Sequence, residues 1–201
     1  MGPFGGHGAG QSASYFDGNT DLRAQTEENA VLVFPDGPVK PDGRRSWVYR
    51  SPDNVRFVDA LIDWLKTNLC IDPSRLFATG LSSGGYMSVT LACQRGDVFR
   101  GVASCSGGMV EHENCRGNPT VWLRTGQGDR KTTVDSLIMA RDFWLTHKGC
   151  QRDGAQPLAG TPCVRYQGCA AGGSVVFCTD PGGHGWPGYL SKSIWSEFSQ
   201  L

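Results

Sequence analysis

Short apolar runs alternate along the chain with longer stretches in which apolar residues recur at three- and four-residue steps. The run at 30–34 is wholly apolar and is followed by the turn sequence P-D-G, a pattern typical of a buried parallel strand. The longer stretches have the period of amphipathic helices. The predicted strands are 30–34, 75–79, 100–104, 120–124 and 174–178, and the predicted helices are 53–69, 82–95, 134–148 and 190 onward, with helical composition over 22–29. Residues 1–20 are Gly-rich and polar and are predicted as loop.

The order of these elements predicts the fold class. Apolar strands that alternate with amphipathic helices indicate an α/β protein, with a mostly parallel sheet and helices on both faces. The 201 residues contain no internal repeat and no interdomain linker, so we expect a single domain over 1–201. The Gly-, Pro- and Gln-rich stretch 149–174 is predicted to be a cysteine-bearing loop insertion in that domain.

Composition and charge remove several classes of partner. Hydrophobic residues make up 39% of the chain, which is enough for one sizeable core. Lys+Arg and Asp+Glu both number 19, so the formal net charge is zero. A balanced chain has no basic bias toward nucleic acid or anionic lipid. No apolar run reaches the roughly 18 residues of a membrane span, so none is predicted.

Eight cysteines without CxxC pairs or zinc-finger spacing favour disulfides and an oxidising compartment. We expect at least two bridges, with one or more inside residues 150–178. The alternative is buried free thiols, which suits Cys93 and Cys105 in their apolar stretches. The first six residues have neither the basic start nor the apolar core of a signal peptide. We therefore expect a secreted protein whose signal peptide is absent from this chain.

The strongest chemical signal is the sequence G-L-S-S-G at 80–84, between a predicted strand and a predicted helix. This is the G-x-S-x-G nucleophile elbow in its required context. Gly80 and Gly84 would relieve crowding in the tight turn, and the Ser82 hydroxyl would project above the sheet near the positive end of the new helix. The N–H of Ser83 would then face a developing oxyanion. The alternative is an ordinary Gly-rich turn.

A nucleophilic serine needs a base and an acid that orients the base, in the chain order Ser, Asp or Glu, His. Asp129 follows the predicted strand 120–124 and is the candidate acid. His184 follows the last predicted strand, within the glycine-rich sequence P-G-G-H-G-W, and is the candidate base. The residues that compete for these two roles are Asp135, Asp180, His112 and His147.

Further candidates concern the oxyanion and the substrate. The sequence H-G-A-G at 7–10 is an HGGG-type loop whose N–H near Ala9 would be the second oxyanion donor. The alternative is a plain N-terminal tail. Tyr86 and Trp186 are candidate substrate-binding aromatics, and packing against the sheet edge is the alternative for both. No Cys/His cluster has the spacing of a zinc site, so we expect no metal.

These motifs resemble those of the secreted esterase family that contains feruloyl esterases and polyhydroxybutyrate depolymerases. The matching sequences are H-G-A-G at 7–10, F-P-D-G at 34–37, C-I-D-P-S-R at 70–75, the elbow at 80–87 and G-H-G-W-P-G at 183–188. The segments 163–169, 175–178 and 194–199 are similar to plant-cell-wall feruloyl esterases. The resemblance implies a nearly lidless α/β-hydrolase with Ser82, Asp129 and His184 as its triad, acting outside the cell without a cofactor.

The N-terminus departs from that family, whose members carry further strands before the HG loop. We therefore expect the N-terminal strands to be reduced or missing. A strand is required between 30–34 and 75–79, and only residues 2–6 are available for it. Either 2–6 pair as a short strand, which keeps Ala9 over Ser82, or 30–34 pairs directly with 75–79.

Three functions compete at this point. The leading hypothesis is a monomeric serine esterase that acts on cinnamoyl (feruloyl) esters of plant polysaccharide. An extracellular polyester depolymerase of the polyhydroxybutyrate type would use the same triad. The third hypothesis is a non-catalytic carbohydrate-binding module with an exposed platform of aromatic side chains. The candidate platform residues are Trp47, Tyr49, Trp122 and Trp186.

Overall fold

The structure is a computed structural model that describes residues 13–48, 50–108 and 113–201. Its helices are α1 (Ala13–Thr20), α2 (Leu22–Thr26), α3 (Pro52–Asn68), α4 (Ser83–Gln94), α5 (Val134–Lys148) and α6 (Leu190–Phe198). Its strands are β1 (Phe77–Leu81), β2 (Gly101–Cys105), β3 (Thr120–Gly126), β4 (Ala155–Pro157), β5 (Cys163–Tyr166) and β6 (Val175–Asp180). None of the helices in these ranges is long and apolar enough to cross a membrane.

The six strands form one mostly parallel sheet in the order β1-β2-β3-β6-β5-β4. The four strands from β1 to β6 in this order run parallel, and β5 and β4 add an antiparallel edge. Alternate strand residues enter two separate hydrophobic cores, one with side chains of α3, α4 and α5 and one with side chains of α1, α2 and α6. Helices therefore cover both faces, and the predicted fold class is confirmed.

The elements with the clearest sequence signals lie where they are predicted. Helix α5 spans 134–148, because Thr133 caps its N-terminus through a bond from Ser136 N–H and Gly149 ends it with a positive φ of 61°. Helix α3 begins at Pro52, directly after the capping residue Ser51. Strands β1, β2, β3 and β6 correspond to the predicted runs and end one or two residues later.

The predicted strand at 30–34 is wrong, because this run forms no ladder among the described residues and Leu32 makes only a single bridge. The run is half-buried. Leu32 and Phe34 pack against the core that contains α1, α2 and α6, and Val33 faces α3. Its alternating apolar residues are thus used for packing on both sides. Direct pairing of 30–34 with β1 is also wrong, and residues 2–6 lie outside the described part of the chain.

The loop predicted over 1–20 is wrong for its last eight residues, which form α1. Local composition did not indicate this helix because its burial depends on distant partners. Phe16 is almost fully buried and lies between Phe34 and Trp186. The carbonyl of Thr20 also accepts a hydrogen bond from the hydroxyl of Ser191 on α6.

The cysteine-rich stretch 149–174 is more ordered than a loop insertion, because β4 and β5 form a hairpin in it. Two disulfides staple this region, Cys150–Cys169 and the cross-strand pair Cys163–Cys178, which joins β5 to β6. The third disulfide is Cys93–Cys115, so Cys93 is not a free thiol. The prediction of at least two bridges, one or more within 150–178, is confirmed. Cys105 is a buried free thiol and Cys70 an exposed one.

Candidate active site

Ser82 occupies a strained turn between the end of β1 and the start of α4. Its backbone has φ 56° and ψ −117°, a conformation that costs a non-glycine residue about 1–3 kcal/mol. Its N–H donates to the carbonyl of Cys105 at 2.9 Å, which fixes the turn to the end of β2. A Cβ at Gly80 would lie 2.4 Å from the carbonyl carbon of Gly84, so this position requires glycine. The sequence pattern therefore forms a tight strand-to-helix turn with Ser82 at its apex.

The first turn of α4 also packs closely on the segment after β2. A Cβ at Gly85 would lie 2.7 Å from the carbonyl oxygen of Cys105, and one at Gly107 would lie 2.3 Å from the carbonyl carbon of Gly85. Ser83 is buried and is the first residue of α4, so its N–H has no acceptor within the helix. That N–H is available to an anion, and its role as an oxyanion donor stays a prediction. Ala9 lies outside the described residues.

Asp129 is a buried carboxylate in the turn after β3. Its Oδ1 accepts hydrogen bonds from the N–H groups of Lys131 at 2.8 Å and Thr132 at 2.9 Å. Burial raises the pKa of Asp129, but the bonds from Thr132 and Lys131 outweigh burial and lower the pKa to about 2. The side chain is therefore a carboxylate at neutral pH, and its Oδ2, which lies 3.2 Å from the Thr125 hydroxyl, can accept a further hydrogen bond.

His184 supplies the donor for that hydrogen bond. Its Nδ1 lies 2.8 Å from Oδ2 of Asp129, and its side chain is 20% exposed while that of Asp129 is fully buried. An ionised carboxylate only accepts hydrogen bonds, so Nδ1 is the donor in this contact and Nε2 is the ring nitrogen left to accept a proton. The structure thus brings the candidate acid and the candidate base together across 55 residues of sequence.

The two loops that carry this pair are joined through their backbones. The N–H of Gln127 donates to the carbonyl of Asp180 at 2.7 Å, and the N–H of Gly128 donates to that of Gly182 at 2.9 Å. A Cβ at Gly126 would lie only 2.1 Å from the oxygen of Gly182. The loops follow adjacent parallel strands, β3 and β6, and the close backbone approach explains the glycine at 126.

The competing residues have other contacts. Asp180 forms a buried ion pair with Arg124, and Asp135 is exposed in the first turn of α5. His147 stacks on Phe143 at the end of α5. His112 lies outside the described residues.

Sequence reasoning missed the Arg124 network beneath His184. Arg124 is buried in β3, and its fork donates to both carboxylate oxygens of Asp180, from Nε at 2.7 Å and Nη2 at 2.6 Å. Tyr189 donates its hydroxyl to the same carboxylate at 2.8 Å. Burial raises the pKa of Asp180, but Arg124 and Tyr189 outweigh burial and lower it. The available signal was a charged residue in an otherwise apolar strand, which needs a buried partner.

The candidate aromatics differ in their surroundings. The ring of Trp186 lies edge-on to Phe16 with centroids 5.2 Å apart, and its indole N–H donates to Ser191 at 2.9 Å. These contacts are those of a packed side chain, although Trp186 also lines an open depression beside His184. Tyr86 is half-buried in the first turn of α4. Substrate contact by either residue stays a prediction.

The aromatic platform of a binding module is not formed by the residues proposed for it. Trp47 is 5% exposed and Trp122 is 1% exposed, and both belong to the hydrophobic cores. Tyr49 lies outside the described residues. A sugar stacks on an exposed ring face, which these two tryptophans do not offer.

The sheet and the strand-to-helix turn define an α/β-hydrolase fold, which comparison with solved structures confirms. An acetyl xylan esterase from Aspergillus awamori matches 98% of this chain and 88% of its own, with a TM-score of 0.77 and 16% identity. The SOBER1 protein of Arabidopsis thaliana matches 100% of this chain and 98% of its own, with a TM-score of 0.71 and 20% identity. At these identities the likeness concerns the fold.

Sequence comparison gives a narrower result. Residues 46–136 match the model of the prolyl oligopeptidase family. Feruloyl esterase C of Emericella nidulans is 32% identical over 168 residues, which cover 81% of this chain and 60% of that protein. Feruloyl esterase D of Neurospora crassa is 32% identical over 191 residues, which cover 88% and 63%. The chain thus spans about three fifths of the length of the feruloyl esterases it matches, and the resemblance predicted from its motifs is confirmed.

Proposed function

We propose that this chain is the single catalytic domain of a serine carboxylic-ester hydrolase that acts on cinnamoyl (feruloyl) esters of plant cell-wall polysaccharide. The observation that carries the proposal is the 2.8 Å contact between His184 Nδ1 and a buried, ionised Asp129. The strained turn at Ser82 supports it, because such strain is retained where the surrounding structure needs it. The similarity to feruloyl esterases C and D supports the substrate class.

The proposed reaction has two halves. Nε2 of His184 takes the proton of the Ser82 hydroxyl as Oγ bonds to the ester carbonyl carbon. The tetrahedral intermediate collapses, the alkoxy oxygen takes the proton from His184, and the alcohol leaves a Ser82 acyl ester. Water then attacks the acyl ester by the same route and releases the acid. Asp129 holds the imidazole tautomer and stabilises the imidazolium, and the N–H groups of Ser83 and Ala9 are the proposed oxyanion donors.

The proposed setting follows from the covalent framework. Three disulfides support an oxidising compartment, so the proposed location is extracellular. The proposed partner is an ester substrate, bound by a monomer without nucleic acid, metal or cofactor.

A labelling and hydrolysis panel tests the proposal. A fluorophosphonate probe should label Ser82, and Ser82→Ala should remove both the label and methyl ferulate hydrolysis. Ser88→Ala, in the helix α4 that follows Ser82, is the matched control and should keep both. Labelling of another residue, or activity of Ser82→Ala above about a tenth of wild type, would contradict the assignment. Acetyl and hydroxybutyrate esters in the same panel separate the feruloyl function from the polyester alternative.

A further inference from the structure

The main chain around His184 is unusually free to move on its own. Residues 182, 183 and 185 are glycines, and glycine loses more conformational freedom on folding than any other residue. The hydrogen bond from Nδ1 to Asp129 fixes one atom of the imidazole ring, and the bond from Gly128 N–H fixes the carbonyl of Gly182 at the start of the loop. Neither bond fixes the backbone from Gly183 to Gly185. A working base needs its Nε2 placed to a fraction of an ångström, so other contacts must hold this loop.

Arg124 holds the loop on both sides of the histidine. Its Nη1 donates to the carbonyl of Gly185 at 2.6 Å and lies 3.4 Å from the carbonyl of Gly183. Its Nε and Nη2 each donate to one oxygen of the Asp180 carboxylate. The rigid, planar guanidinium of Arg124, on β3, thus contacts the residues that precede and follow His184.

Asp180 forms hydrogen bonds with residues at both ends of the loop that carries His184. Its Oδ1 accepts the N–H of Gly182 at 2.9 Å, and its Oδ2 accepts the hydroxyl of Tyr189 at 2.8 Å. Burial and the bond to Asp180 raise the pKa of Tyr189, so its hydroxyl keeps the proton that it donates. The buried thiol of Cys105 also donates to the carbonyl of Gly185 at 3.2 Å.

We propose that the Arg124–Asp180 pair is the positioning device of the catalytic base: it holds the 182–189 loop so that the His184 imidazole meets Asp129 and Ser82 together. The inference rests on the proposed function for the role of His184. Arg124 touches neither the substrate nor the reacting atoms in this scheme, so it is a positioning residue. Both charges of the pair lie within the fold, and its side chains are 2% and 10% exposed.

The planar fork of arginine is what the position requires. A lysine at 124 keeps the charge, but its three donors lie on one nitrogen, whereas Arg124 reaches Asp180 and Gly185 from three separate nitrogens in a fixed plane. Arg124→Lys therefore separates charge from geometry. The matched control is Arg95→Lys, because Arg95 makes the same two-pronged contact with Asp59 at 2.7 and 2.6 Å, between α4 and α3.

Steady-state kinetics with methyl ferulate give the first test. For Arg124→Lys we expect kcat to fall 10- to 100-fold with KM changed less than threefold, because a smaller fraction of the enzyme molecules has His184 in the reactive position. Arg95→Lys should keep kcat within twofold of wild type. A folded Arg124→Lys protein with unchanged kcat would overturn the proposal. If Arg124→Lys does not fold, Tyr189→Phe removes one anchor only, and an unchanged kcat in that variant has the same consequence.

Proton NMR of the imidazole gives a second test that needs no substrate. Wild type should show a downfield Nδ1–H signal, assigned by its absence in His184→Gln. Arg124→Lys should broaden or shift this signal, and Arg95→Lys should leave it in place. A signal unchanged in Arg124→Lys would refute the positioning role even if kcat falls. A wild-type protein without esterase activity would refute the proposed function, while the NMR comparison would still decide whether Arg124 positions His184.

Discussion

Lys148, the last residue of α5, is fully buried, and burial lowers the pKa of its ammonium group from 10.5 to about 8. Its Nζ has a long contact of 3.4 Å with the carbonyl of Gly172. A pKa lowered in the folded state means that the unfolded chain binds the proton more tightly. Stability is therefore complete above the unfolded pKa of 10.5 and falls as the pH drops through about 8.

The size of this effect follows from the two pKa values. Their difference corresponds to a penalty of about 3 kcal/mol below pH 7, and about 1 kcal/mol of it is relieved between pH 7 and pH 9. Lys148→Met removes the titrating group. The free energy of unfolding of wild type relative to Lys148→Met should therefore rise by about 1 kcal/mol over that interval. Loss of the contact with Gly172 offsets part of the gain at neutral pH, so the slope is the sharper prediction.

Urea unfolding at pH 7, 8 and 9, followed by circular dichroism, measures this slope. Lys66→Met is the matched control, because Lys66 is exposed and also lies in the last turn of a helix. Wild type and Lys66→Met should give parallel stability curves. Parallel curves for wild type and Lys148→Met would refute the reasoning, because a Lys148 with a pKa of about 8 must lose its proton in the folded protein between pH 7 and pH 9.

Two further predictions concern the site. Asp129→Asn should lower kcat about 10³- to 10⁴-fold with the fold retained, because the amide favours the wrong imidazole tautomer. Asp135→Asn is the control and should keep wild-type kinetics. The reverse outcome would assign the role of the acid to Asp135. Gly80→Ala should cost at least about 2 kcal/mol in urea unfolding, because its Cβ would lie 2.4 Å from Gly84. Gly183→Ala is its control, with open space at that Cβ, and equal losses in the two variants would contradict the elbow packing.

The parts of the fold that could be predicted are those specified by neighbouring residues. Helix α5 is bounded by its own cap at Thr133 and its own glycine at 149. The turn at Ser82 is specified by glycines a few positions away. Asp129 and His184 were predicted to follow two different strands of a parallel sheet. Those strands, β3 and β6, are adjacent, and the carboxyl ends of parallel strands lie on the same side of a sheet, which brings the two residues together.

The parts that could not be predicted depend on contacts far along the chain. The run at 30–34 has the composition of a strand, but its side chains pack on two sides, and it forms no ladder with any strand in the described part of the chain. Helix α1 forms in polar sequence because the ring of Phe16 packs against that of Trp186, 170 positions later in the chain. Arg124 and Asp180 are 56 residues apart, and neither sequence neighbourhood indicates the other.

The sheet supports the two halves of the candidate site unequally. Strands β3 and β6 have neighbours on both sides, and a disulfide fastens β6 to β5, whereas β1 is the edge strand of the described sheet and pairs only with β2. Local opening costs less free energy at an edge, so the amide hydrogens of β1 would exchange before those of β3 and β6. Hydrogen exchange would therefore show whether the segment that carries Ser82 opens before the two strands that lead to Asp129 and His184.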